Sequence, residues 1–149
     1  MKVLFLAALV AAAHAVDYSV KVTTQTVDYA SSGGYFYAAA LDYTGQLIDF
    51  GLMDNVGRND FEAGNEDEFK FQSDVDLGEI SCLIIRAGNQ SEDAWMIDTV
   101  SITSSTDSVG VSGKNSDNVW MSGDTSEGSL AMMWCAPPKA AKVNRIERE

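Results

Sequence analysis

The sequence predicts an all-β protein, a single eight-stranded antiparallel β-sandwich. Three observations carry that expectation. Short segments rich in β-branched and aromatic residues recur along the chain. Clusters of Gly, Ser, Asn and Asp separate them, as tight connections require. No stretch before Cys135 keeps a 3.6-residue apolar period over three turns.

In chain order, "YSVKVTT" (18–24) alternates apolar and polar residues. "YFYAAALDY" (35–43) follows the turn Ser31-Ser32-Gly33-Gly34, and "QLIDFGL" (46–52) follows Thr44-Gly45, so this pair reads as a hairpin. Beyond an acidic connection come "DEFKFQS" (67–73), "ISCLIIRA" (80–87) and "WMIDTVSIT" (95–103). "NVWMS" (118–122) and "SLAMMWC" (129–135) complete the predicted strands. The segment 104–118, poor in apolar residues, is expected to be a long loop or a short strand between loops. Short strands with turn signals between them make a sandwich.

The first fifteen residues stand apart. "MKVLFLAALVAAAHA" places one Lys before an apolar run and ends on Ala13-His14-Ala15, the small-x-small pattern of a secretory signal. The run is too short for a bilayer, which needs ~20 apolar residues, and no second run follows. The expected domain spans residues 16–136, with a charged tail over 137–149 read as disordered or a short helix. Within 1–15 only Lys2 is charged, so loss of the signal moves the formal charge from −12 to −13, nine Lys and Arg against 22 Asp and Glu. That surface repels nucleic acid, which is excluded as a partner. The one histidine, His14, leaves with the signal, removing Ser-His-Asp and His-zinc chemistry from a secreted form. Cys82 and Cys135, an even count in a secreted chain, are expected to form a disulfide.

The acidic connection is the most informative stretch. "LMDNVGRNDFEAGNEDEF" holds six carboxylates and three asparagines. Calcium takes six to eight oxygen ligands from carboxylates, Asn side chains and backbone carbonyls. Asp54, Asn55, the Gly57 carbonyl and Asp60 supply such oxygens within seven residues, and Gly57 lets the backbone turn so that they converge. The twelve-residue spacing of an EF-hand is absent. From spacing alone, a solvated acidic turn is the favoured reading of the stretch, since acidic, Gly-rich β-connections are usually that.

Several motifs in order add to this reading. Phe61, Gly64, Asp67 and Phe69 form a Phe-x-x-Gly-x-x-Asp-x-Phe pattern. Leu77-Gly78 precedes the apolar "ISCLIIRA", and Trp95 precedes "DTVSI". Over roughly residues 18–103 the chain resembles the PLAT (lipoxygenase-homology, LH2) domain, a C2-like β-sandwich. The loop "MDNVGRNDFEAG" is most similar to the carboxy-terminal, membrane-binding domain of clostridial alpha-toxin phospholipases C. The resemblance implies calcium ligands at Asn55, the Gly57 carbonyl and Asp60. One residue is inserted between Gly57 and Asp60, so Asn59 competes for the last position. A second calcium set would be Asp93 and the Ala94 carbonyl, but the acidic partner turn of the family is here Ser31-Ser32-Gly33-Gly34, with Asp28 the nearest substitute. The toxin's catalytic domain has no counterpart here, so no lipase activity is implied.

Remaining residues fit this frame. Trp95, Trp120 and Trp134 are expected in the core. Tyr29, Met53 and Leu52 are candidate membrane contacts, since apolar loop residues favour the bilayer interface. Asn89-Gln90-Ser91 is an N-glycosylation sequon, and a glycan there would hinder lipid insertion near Asp93. The Gly-x-Ser-x-Gly elbow of hydrolases is absent. The expected protein is a secreted, monomeric, non-catalytic module that uses calcium to bind a phospholipid surface. The alternative is an extracellular protein–protein module in which calcium only stiffens the loop.

Overall fold

The computed structural model describes residues 14–88, 93–124 and 128–138. The Asn89 sequon, nearly all of the leader and the tail beyond residue 138 lie outside the described residues. Eight strands form: β1 Val16–Thr24, β2 Phe36–Asp42, β3 Leu47–Leu52, β4 Glu66–Ser73, β5 Ile80–Ala87, β6 Ile97–Ser104, β7 Val111–Lys114 and β8 Ala131–Cys135. They build two four-stranded antiparallel sheets, ordered β4-β1-β6-β7 and β3-β2-β5-β8. No helix is long and apolar enough to cross a membrane among the described residues.

Alternation in the sequence sets which side chains meet between the sheets. In β1, Val16, Tyr18, Val20, Val22 and Thr24 point inward while Asp17 and Lys21 face water. β2 answers with Phe36, Ala38 and Ala40, and β5 with Leu83, Ile85 and Ala87. The buried Tyr18 is satisfied, its hydroxyl donating to the Val75 carbonyl at 2.9 Å and accepting from the Leu77 amide at 3.0 Å. Burial pushes its phenol pKa above the ordinary value. The β2–β3 hairpin closes on Asp42, whose carboxylate accepts from the Thr44 hydroxyl and from the Thr44 and Gln46 amides. The Thr44 hydroxyl, more than any other group, holds that carboxyl below its usual range.

One predicted strand is corrected. Residues 118–122 form no strand, and Met121 makes only single bridges to Trp95 and Ser129. The strand completing its sheet is β7, inside the segment read as a loop or a short strand. Its inward positions explain the weak signal. Val111 is buried, but the next inward residue is Gly113, where a Cβ would lie 2.3 Å from Cδ1 of Trp134. The Trp134 ring takes the place of an apolar side chain, and the strand loses its hydrophobic signature. Trp95 is fully buried as expected, whereas Trp134 packs half-buried against the core and Trp120 is half-buried.

Cys82 and Cys135 face each other across β5 and β8 and are bridged, their Cα atoms 4.0 Å apart. The Ala136 amide bonds the Ser81 carbonyl beside them at 2.8 Å, so the pair occupies a non-hydrogen-bonded position, where facing Cα atoms come closest. The bridge closes a separation of 53 residues and pins an edge strand. Replacing both cysteines with alanine is expected to lower stability by about 2–4 kcal/mol, read as a lower denaturant midpoint; an unchanged midpoint would show that strand pairing alone holds β8.

Candidate metal site

Three connections meet at one end of the sandwich: 25–35 between β1 and β2, 53–65 between β3 and β4, and the described residues 93–96 leading into β6. The Ser32 amide donates to the Phe61 carbonyl at 3.3 Å, and the Ala63 amide to Ser31 Oγ at 2.8 Å. Ser32 Oγ donates to the Asp93 carbonyl at 2.9 Å, and the Met96 amide bonds the Ala30 carbonyl at 3.1 Å. Beneath them lies an aromatic floor. The Phe61 and Trp95 rings are 4.5 Å apart, Phe36 and Trp95 are 4.6 Å apart, and Phe69 stacks on Phe61 at 5.6 Å. Trp95 Nε1 donates to Thr24 Oγ1 at 2.9 Å, so the indole is buried without an unmet donor.

The acidic loop folds onto this floor through two carboxylates. Asp60, 8% exposed, receives the Asn55 backbone amide on Oδ2 at 2.7 Å and Asn55 Nδ2 on Oδ1 at 2.9 Å. The Arg58 amide returns to the Asn55 carbonyl at 3.0 Å. Gly57, at φ 78°, supplies the left-handed residue of that turn. Next, the buried Asp67 accepts the Phe61 amide on Oδ2 at 2.8 Å, while the Arg58 guanidinium stands 3.9 Å from its Oδ1. Phe61 is held at φ 65°, a costly conformation for a non-glycine residue, and its buried ring together with this bond keeps it there.

The predicted ligands are thus partly assembled. Asn55 and Asp60 meet, and Gly57 forms the turn between them. Asp54 is exposed and lines, with Arg58, Asn59 and Asp60, a cavity of about 310 Å³. Asn59 turns away to Glu62. The donor set is all oxygen, as a hard cation requires, and the two hydrogen bonds to Asp60 leave about half of its lone-pair sites open. Among the described residues no three Asp, Glu, His or Cys side chains converge as a metal cluster. Asn55, the Gly57 carbonyl and Asp60 supply fewer than calcium's six to eight oxygens, so this set fits the ion only if further oxygens come from outside it. The second set fits less well. The facing turn 31–34 adds no carboxylate: the Gly33 amide donates to Asp93 Oδ2 at 2.9 Å and Ser32 Oγ donates to the Asp93 carbonyl. Ala94 is half-buried beside it, and Asp28 is exposed in the first connection.

The loop tips give one correction and one addition. Met53 is 2% exposed, its amide bonded to the Phe36 carbonyl at 2.9 Å and its side chain in the core, so it is no membrane contact in this structure. As the first residue after β3 it continues the inward face, which the sequence reading overlooked. Tyr29 is 91% exposed, as expected, and Leu52 is marginally exposed. Val56, 95% exposed and adjacent to Asn55, was missed; an aliphatic residue in the middle of an acidic turn was the available signal.

Comparison with known proteins bears on this arrangement. The model of the PLAT/LH2 domain family matches residues 18–132. The chain belongs to this family. A search of curated proteins finds no match. Among solved structures, the PLAT sandwich is similar to coral 8R-lipoxygenase, with 22% identity and TM-score 0.66 over 80% of this chain and 16% of that one. It is similar to alpha-toxin of Clostridium perfringens, with 23% identity and TM-score 0.60 over 83% of this chain and 32% of that one. Alpha-toxin of Clostridium absonum gives 21% identity and TM-score 0.60 over 78% and 30%. The chain thus spans less than a third of each structure's length. That coral enzyme is described as activated by calcium through a C2-like domain.

Asp67→Ala removes the acceptor of a buried amide and the partner of Arg58. It is expected to cost about 1–3 kcal/mol, measured as a lower melting midpoint. Asp54→Ala, at an exposed position, is expected to leave the midpoint unchanged.

Proposed function

We propose that this PLAT domain is a secreted, non-catalytic module that docks on phospholipid surfaces with the help of calcium held at Asp60, Asn55 and the Gly57 carbonyl. One observation carries the reading. The most exposed apolar side chains of the loops, Tyr29 and Val56, stand at the same end of the sandwich as the Asn55–Asp60 pair. A carboxylate cradle rimmed by apolar tips suits an interface that is part phosphate, part hydrocarbon. When bound, calcium supplies positive charge between these oxygens and lipid phosphate, offsetting the repulsion expected of a chain of net charge −12.

Further support comes from the protein's own residues. Asp67 and the aromatic floor hold the loop in shape before any ligand arrives, so less ordering is needed on binding. The disulfide between Cys82 and Cys135 suits an oxidising compartment. The calcium activation described for the coral lipoxygenase through its C2-like domain is consistent with a calcium-assisted role for this domain. Open, extracellular calcium sites bind at ~10⁻⁴–10⁻³ M, and the few ligands here suit that range.

Flotation with phosphatidylcholine vesicles tests the reading. The protein is expected to float with the vesicles in millimolar calcium and to stay in solution in EGTA or magnesium. Asp60→Ala is expected to abolish the calcium response. Val56→Asp, which places a charge where an apolar tip inserts, is expected to weaken partitioning about tenfold or more. Binding that ignores calcium, or survives both changes, contradicts the proposal.

A further inference from the structure

The two sheets differ sharply on their outer faces. On β4-β1-β6-β7 the outward positions are polar throughout, with Ser19, Lys21, Glu68, Lys70 and Thr103 among them. That is the usual state of a solvated antiparallel sheet. The outer face of β3-β2-β5-β8 breaks the alternation rule. Leu47, Leu41 and the Cys82–Cys135 bridge form one row, and Ala39, Ile84 and Met133 another. Leu47 is 55% exposed and Met133 60%. None of these residues belongs to the loop end described above.

Charge decides what fits there. The strands place only Asp49 and Arg86 among charged residues on this face, and they pair with each other at 3.3 Å. Arg86 also lies over the Tyr37 ring, 4.4 Å from its centre. The face is therefore neutral on a chain of net charge −12. Two copies of so acidic a protein repel each other over most of their surface, and here they meet without repulsion.

We propose that this face is a self-association surface, through which two copies pack sheet against sheet, in place of the monomer expected from the sequence. The inference is independent of the calcium reading. Its strength follows from its size. Four strands ~4.8 Å apart and about six residues long at ~3.4 Å each present roughly 400 Å² per copy. Twice that is below the ~1,200 Å² of a stable complex, so the dimer is weak and reversible. Salt strengthens it, since the face is apolar and the opposing repulsion is screened.

Sedimentation velocity on the full chain, from about 1 μM to 1 mM, tests the proposal. A dimer growing with concentration and with added salt is expected. Met133→Glu and Leu47→Glu, both at exposed positions that leave the core untouched, are expected to weaken it at least tenfold. Thr103→Glu adds the same charge to the other sheet and is expected to change it little. Circular dichroism melts establish that each variant is folded. A monomer at every concentration overturns the proposal. So does a monomer whose Met133 resists oxidation by peroxide, which would give the face to the chain's own residues 139–149. A dimer broken by Thr103→Glu and not by Met133→Glu overturns it as well.

Discussion

The buried carboxylate of Asp67 is the constraint on which the candidate site at one end of the sandwich depends. It lies at an inward-facing position of β4, where alternation calls for an apolar side chain, and it accepts the backbone amide of Phe61. A carboxylate in such a place is costly unless it is bonded and paired, and Phe61 and Arg58 supply both. In return the connection between β3 and β4 has a fixed shape. Phe61 is locked onto Trp95, and Asp60 next to it is presented at the rim, against Asn55. The order of dependence runs from a strand position, through one hydrogen bond, to the orientation of a candidate ligand.

Above that clasp, the acidity of the chain and the apolar loop tips act together. An acidic protein avoids anionic surfaces, and exposed valine or tyrosine alone gives little hold on a membrane. In the proposed function, a cation near Asp60 would change the sign of the first effect where the second operates. In the proposed self-association, the same acidity would confine close approach of two copies to the neutral outer face of one sheet. Net charge does not determine the fold, but it selects which surfaces are usable.

Much of this was legible in the sequence, for identifiable reasons. Strands such as Val16–Thr24 and Ile80–Ala87 carry their burial pattern in their residues. The disulfide followed from two cysteines, and the contact between Asn55 and Asp60 lies within the loop that composition and family pattern marked as a candidate site. What escaped notice depended on partners distant in sequence. Gly113 gives no sign of β7 because Trp134, from another strand, fills its space. Met53 reads as a loop residue until the β3 register carries it into the core. Ser32 and Gly33 read as replacements for a lost acid, whereas their hydroxyl and amide engage Asp93 directly. Val56 stands out as an aliphatic residue in an acidic turn, but its near-complete exposure shows only in the fold.

Whether the loop that Asp67 shapes holds calcium is tested most directly by a calcium titration followed through backbone amide resonances. Saturable changes at Asn55, Gly57 and Asp60, reached at millimolar calcium and absent with magnesium, are the predicted result. No saturable change at these amides, or small shifts spread evenly over the many surface carboxylates, would contradict the proposed calcium binding and leave the loop an acidic turn with no cation to hold.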